Sequence, residues 1–361
     1  MNPTRVARNL RVRMGRFSGE LSDGLCVAAS RFVSQMVYGI QAAESVLLTE
    51  VGRTLEEGVP LRKTQWRLSR NLQRPELART VRENLLRMAS GRVGRDTLLI
   101  VDPGDLSKKY ARKMEYLGTV RDGSEGTLAQ GYWTLHIAGC EVGSDGMVPL
   151  YQHLWSTREP FHRGENDEIL RAIDAVARHV GGRGLWVMDR GGDRINLLAP
   201  LLDRGLRFLF RLVGTRSLEH NGRTLAAEEV ARECPVLHAK TIVRLDGDRE
   251  RVCELRFGFR RVRLPGRGEP LCLLVVRGLG AQPLMLLTNE PLNRSYRCLW
   301  HMVQAYLKRW AIEETIRYAK TCYDLENVRV LTYQSLQNLM PLVTAAMYFA
   351  ACVLDHDARL R

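Results

Sequence analysis

Thr97-Leu98-Leu99-Ile100-Val101-Asp102 places an unbroken aliphatic run directly in front of a carboxylate. A run that short, with β-branched residues toward its end, reads as a strand buried on both faces. The pattern returns at Leu185-Trp186-Val187-Met188-Asp189. Buried strands that each end on Asp point to an α/β sheet, because ligands of such sheets gather at strand ends. A carboxylate there is costly to bury unless it is paired or binds a metal. For either Asp alone the alternative is a helix N-cap or a turn residue. Asp105 and Asp193 fit that alternative better, since each stands just ahead of a following segment, and Asp102-Pro-Gly-Asp105 is expected to turn the chain.

Around these two strands, residues 96–213 read as a βββαβαβ layer. Tyr132–Cys140 and Met147–Trp155 alternate as strands about a Gly-rich turn at 142–146, and Glu165–Val180 is amphipathic helix. Asp193–Asp203 follows as helix and Leu206–Val213 as strand, completing a mixed sheet. Residues 214–294 read as a β-rich insertion. Within it Arg251–Leu264 alternates apolar and basic residues, and Leu271–Val276 and Leu284–Thr288 add strands. Such a basic sheet suits either a grip on a DNA backbone or a solvated face.

Beyond the insertion, Tyr306–Lys320 (YLKRWAIEETIRYAK) contains no Gly or Pro and reads as one helix. At about 100° per residue, Tyr306, Arg309, Glu313 and Lys320 share a face that Glu314 does not. A carboxylate flanked by fixed cations suits a site that holds a metal ion and a phosphate together. A solvated charged stripe is the alternative.

Residues 1–95 form a basic helical front end, with 17 Lys+Arg against 8 Asp+Glu, which is +9 of the chain's net +14. Such an excess points to a polyanionic partner, most simply nucleic acid. Arg5, Arg8, Arg11, Arg13 and Arg16 are expected as a cationic arm or a solubilising tail, and Glu20–Ile40 as helix. Leu47–Leu55 and Leu61–Leu72 flank a break at Gly58-Val59-Pro60 in the manner of a helix-turn-helix. The second of these carries Arg62, Lys63, Gln65, Arg67 and Arg70, residue types that reach phosphates and base edges. Two ordinary packed helices with a basic face are the alternative. Glu76–Ala89 closes the unit, and Gly91 and Gly94 mark a linker. The full length of 361 residues and 45% hydrophobic content allow more than one domain and a sizeable core. The eight cysteines show no metal spacing and are expected as reduced core residues of a cytosolic protein. The longest apolar run, Leu339–Leu354, falls short of a bilayer span and is expected as a buried helix.

Asp102, Asp189 and the spacing Tyr306-x-x-Arg309-x-x-x-Glu313-x-x-x-x-x-x-Lys320 together resemble the DDE transposases of bacterial insertion sequences, in the subgroup with a Tyr-Arg-Glu-Lys signature. Neighbouring text is also similar: V-D-P-G-D-L-S-K at 101, R-D-G-S-E-G from 121, M-D-R-G-G-D-R at 188, R-F-L-F-R-L at 207 and L-T-N-E-P at 287. The likeness spans roughly residues 25–350.

The resemblance implies an RNase H-like catalytic core formed by 96–213 and 295–361, interrupted by the β-rich insertion. It implies that Asp102, Asp189 and Glu313 hold two divalent ions, Mg²⁺ or Mn²⁺. Tyr306, Arg309 and Lys320, with Arg190, would contact DNA, as would Arg62, Lys63, Arg67 and Arg70 of the front end. The implied activity is metal-dependent cleavage at the element's ends and transfer of a 3′-hydroxyl into target DNA. The implied partners are double-stranded DNA with terminal inverted repeats and a second copy of the chain in a synaptic homodimer, in the bacterial cytoplasm. Relatives carry a base-stacking Trp four residues before the Thr of the L-T-x-E-P text; here that position is Leu284, which has no π-face, and Trp300 is the candidate substitute. Competing readings are an RNase H-like nuclease without strand transfer and an inactive DNA-binding regulator.

Overall fold

A computed structural model describes residues 3–123, 125–246 and 249–354 of the chain. The front end is helical: α1 (Pro3–Leu21), α2 (Val27–Ala43), α3 (Leu48–Thr54), α4 (Leu61–Asn71) and α5 (Leu77–Ala89). Two expectations are corrected here. The arginine-rich start is not a loose tail but the helix α1, because Met14, Phe17 and Leu21 recur at helical spacing and are buried, Phe17 against Tyr348 and Phe349. The helix expected over 20–40 breaks at residues 22–26, where Gly24 takes the left-handed φ of +83° that a side chain would resist.

The sheet follows as β1 (Leu98–Ser107), β2 (Gly118–Arg121), β3 (Leu128–Cys140), β4 (Met147–Trp155), α6 (Glu165–Val180), β5 (Leu185–Met188), α7 (Ile195–Asp203) and β6 (Phe208–Arg211). β4, β3 and β1 pair antiparallel, and β1, β5 and β6 pair parallel. That order of strands, with helices on both faces, is the RNase H-like arrangement. The stretch 214–294 holds β7 (Ser217–His220), β8 (Arg223–Ala226), α8 (Ala227–Arg232), β9 (His238–Asp246), β10 (Arg249–Val262), β11 (Leu271–Arg277) and β12 (Leu284–Thr288). β12 pairs with β6, and β11, β10 and β9 continue outward, so one ten-stranded sheet runs from core into insertion. The join is clasped by polar groups from two of the family-like stretches. Arg207 binds both oxygens of Glu290 at 2.6 and 2.8 Å, and Asn289 accepts from the Phe208 amide at 2.9 Å.

Strand alternation decides what faces what. Leu98 and Ile100, Leu185 and Val187, and Leu209 enter one apolar cluster. Leu99 and Val101, Trp186 and Met188, and Phe208 and Phe210 enter the other. The first cluster is completed by α9 (Tyr296–Lys308) and the start of α10 (Ala311–Cys322). The second is completed by α6, α7, the front-end helices and α11 (Tyr333–Tyr348), which runs on into a π-helical turn at Phe349–Leu354. By the same parity, Asp102 and Asp189 emerge on the α9–α10 side.

Helix Tyr333–Val353 is longer than the apolar run suggested and long and apolar enough to cross a bilayer, but 78% of its apolar window is buried inside the protein. Its Asn338 ties the front end to the core. The side-chain amide donates to Leu72 O at 2.7 Å and Arg74 O at 2.8 Å, and its oxygen accepts from Ala78 N at 3.0 Å. Asn338→Leu leaves these buried backbone groups unpaired and is expected to cost about 2 kcal/mol, read as a lower urea midpoint. An unchanged midpoint would show that the clasp does not stabilise the fold.

Two further corrections concern the site. The Asp102–Asp105 segment does not turn: β1 runs straight through it, with Asp102 opposite His136 and Asp105 opposite Trp133. Pairing with β5 ends at Ile100, so from there β1 has an open side on which Pro103 removes no ladder bond. Nor is Tyr306–Lys320 one helix. α9 ends at Lys308 and α10 begins at Ala311, with i→i−3 bonds from Arg309, Ile312 and Glu313 tightening the junction.

Candidate active site

Three distant segments supply the acidic groups. Asp102 lies mid-strand in β1, Asp189 follows the last residue of β5, and Glu313 stands in the first turn of α10. The Asp102 carboxyl is pushed up to about 7 from its ordinary 3.8. Burial is the main cause, Arg309 opposes it, and the charges of Asp189 and Glu313 add to it. Asp189 and Glu313 therefore both lie near enough for their charges to reach Asp102. Asp189 also accepts from the Gly191 amide at 2.8 Å, capping a short 3₁₀ turn, so the cap and the site share one side chain.

Arg309 is the hub. Its guanidinium is buried, donates to Glu313 at 3.0 Å and is flanked by Asp102, Tyr306 and Asp189. Burial opposes its charge, but these neighbours hold it above the usual arginine range. Its Nε has no hydrogen-bond partner among the described residues. Tyr306 is buried in α9 beside Arg309, Arg211 and Asp189, and burial raises its phenol above the ordinary value. Glu313 remains 57% exposed, and Glu314 turns away to pair with Arg317.

Lys320 sits elsewhere along the same helix. Its ammonium is shared between Asp105 at 3.4 Å and Glu326 at 3.0 Å, so it is held by carboxylates within the protein. Asp105 and Asp193 are not the caps their positions suggested. Asp105 is buried on Lys320 and the Gly123 amide. Asp193 is buried on Arg216 at 2.5 Å and the Val213 amide at 2.7 Å, and it fixes the loop after β6. Arg190 is exposed beside Asp189.

The basic residues of α4 divide. Arg67 is committed to both oxygens of Glu57 at 2.8 and 2.9 Å and to Gln35 at 2.6 Å. Arg62, Lys63 and Arg70 stay exposed, and Arg62 lies 4.8 Å over the ring of Trp66. Leu284 is a buried residue of β12 and cannot wedge outward, and Trp300 stacks within a cluster with Phe257 and Tyr296.

Sequence reasoning passed over three residues. Arg211 reaches Tyr306 from β6, two positions after Leu209 on the same face; the alternation of R-F-L-F-R-L carried that signal. His136, opposite Asp102, is buried and neutral, pushed down to about 3 by burial and then by Lys320. Trp66 is 58% exposed among arginines.

Among the described residues no three acidic, histidine or cysteine groups stand close enough to ligate an ion as placed. Glu313 is turned to Arg309. The donor set nevertheless fits a divalent cation. Hard carboxylate oxygens whose charges crowd Asp102 call for positive charge, and Arg309 supplies it here.

No family model matches the chain, and no curated protein matches it. Among solved structures, a cryo-electron microscopy structure of a piggyBac transposase synaptic complex with hairpin DNA is similar at a TM-score of 0.48 and 13% identity. The match covers 91% of this chain and 66% of that one, so this chain spans just under two thirds of that structure's length.

Proposed function

We propose that this chain is a DNA transposase that cleaves the ends of a mobile element and joins the freed 3′-hydroxyl to target DNA. The observation that supports the reading is that Asp102, buried in β1, feels the charges of both Asp189 after β5 and Glu313 in α10. These three would hold two divalent ions, Mg²⁺ or Mn²⁺. Bound there, such ions stabilise the attacking and leaving oxygens of an in-line phosphoryl displacement.

The protein's own groups do the rest. Arg309 balances the carboxylates and keeps Glu313 within reach, and it must release Glu313 when cations enter. Tyr306 and Arg211 form the wall beside Asp189, and Arg190 lies at the open rim where a phosphate would pass. Arg62, Lys63 and Arg70, with Trp66, present a basic face to a terminal repeat, and pairing two ends would take two copies of the chain. The setting would be the bacterial cytoplasm.

Incubation of pre-cleaved element ends with supercoiled plasmid and Mg²⁺ is expected to give a joined product. Cleaved fragments without joining would reduce the protein to a nuclease. End binding without cleavage would reduce it to a regulator.

A further inference from the structure

After β1 the chain makes a basic loop, Lys108–Met114, that faces the segment Glu326–Leu331 across a groove of about 590 Å³. Lys108 fixes the floor: it is buried, and its ammonium donates to the carbonyls of Glu326 and of Val328. The walls are cationic. Arg112 and Lys113 on one side and Arg329 on the other are exposed and make no ion pair among the described residues. Lys109 is already answered by Glu125. Between Lys109 and Arg112 stands Tyr110, 95% exposed.

An aromatic ring presented whole to solvent at the mouth of a cationic groove matches the recognition of unpaired bases. Phosphates track the cations and a base lies on the ring. A duplex offers no free base face to such a ring, since its bases are stacked within the helix. The groove opens where β1, the strand that carries Asp102, ends at Ser107. Lys320 bridges Asp105 of β1 to Glu326 of the groove wall, so one side chain ties the groove to the strand that carries Asp102.

We infer that this groove binds a segment of single-stranded DNA, with phosphates on Arg112, Lys113 and Arg329 and one base stacked on Tyr110. The inference rests on the reading of the chain as an enzyme that acts on DNA strands, and extends it to the path of a separated strand.

The test uses the full-length protein and a fluorescent single-stranded oligonucleotide of about 12 nucleotides, within the span such sites cover. Tyr110→Ala is expected to weaken binding about tenfold, the scale of one lost stacked base, without changing the salt dependence. Tyr110→Phe keeps the ring and is expected to bind as the parent does. Replacing Arg112, Lys113 and Arg329 with Ala is expected to lower the slope of log affinity against log salt by about 2, at roughly 0.7 per phosphate. Duplex affinity is expected to stay unchanged in Tyr110→Ala. Unchanged single-strand affinity in Tyr110→Ala, or an equal loss for single strand and duplex, would overturn the inference.

Strand joining is scored in parallel. A protein that joins ends while Tyr110→Ala binds normally loses the groove alone. A protein that joins nothing but shows the Tyr110 effect loses the transposase reading and keeps the groove.

Discussion

Glu313→Gln is expected to slow cleavage of a labelled element end about a thousandfold, the scale on which removing one fixed electrostatic group reduces turnover. Glu314→Gln is expected to leave it unchanged. The two residues are adjacent, of one type and both exposed, so composition and local propensity cannot separate them. Geometry does: Glu313 is bonded to Arg309 and its charge reaches Asp102, whereas Glu314 is paired with Arg317. Glutamine keeps an oxygen that can accept from Arg309, so the junction between α9 and α10 survives and a loss reports on charge. Single-turnover cleavage in Mg²⁺ checks it. Equal losses in both variants would mean that the helix face is misassigned, and no loss in Glu313→Gln would remove the acidic site from the chemistry.

The second large effect is on stability. Asp102 titrates near 7 in the folded protein against 3.8 ordinarily, through burial and the charges of Asp189 and Glu313, with Arg309 opposing. His136 faces it from β3, neutral across this range. The folded state binds this proton more tightly than the unfolded chain. The resulting stability is therefore complete below about pH 4 and is lost as pH rises through 7. Moving a carboxyl that far corresponds to something on the order of 4 kcal/mol.

Asp102→Asn keeps the shape and removes the ionisation. In chelator, its urea midpoint is expected to be flatter than the parent's between pH 4 and 8 and higher at pH 8. Added Mg²⁺ is expected to raise the parent's midpoint at pH 8 and to do much less for the variant, because ligands that bind only the folded state stabilise it. Parallel pH profiles for the two proteins would mean that Asp102 is not the strained member of the cluster.

Much of this was legible in the residues. The unbroken apolar runs before Asp102 and Asp189 already implied buried strands ending on carboxylates, whereas the common face of the two follows from the pairing of Ile100 with Val187. The spacing of Tyr306, Arg309 and Glu313 likewise put them together, although the junction at Arg309 is tighter than a continuous helix. Asp102-Pro-Gly-Asp105 misled because its turn chemistry is real but local. The ten-residue ladder to β3 outweighs it. The loose-tail reading of the start failed because charge at every third or so position hid the buried Met14, Phe17 and Leu21 between.

What a basic side chain does is the part that pattern could not supply. Arg67, Arg309 and Lys320 look alike in sequence to Arg62 and Arg190, but three are consumed by Glu57, Glu313 with its neighbours, and Asp105 with Glu326. The sequence by itself determined where the core strands and most helices run, because periodicity is a property of neighbours along the chain. Only the tertiary structure decided which cations remain for a ligand, because whether a charge is spent depends on side-chain geometry, from Glu313 four residues from Arg309 to Asp105 more than two hundred from Lys320.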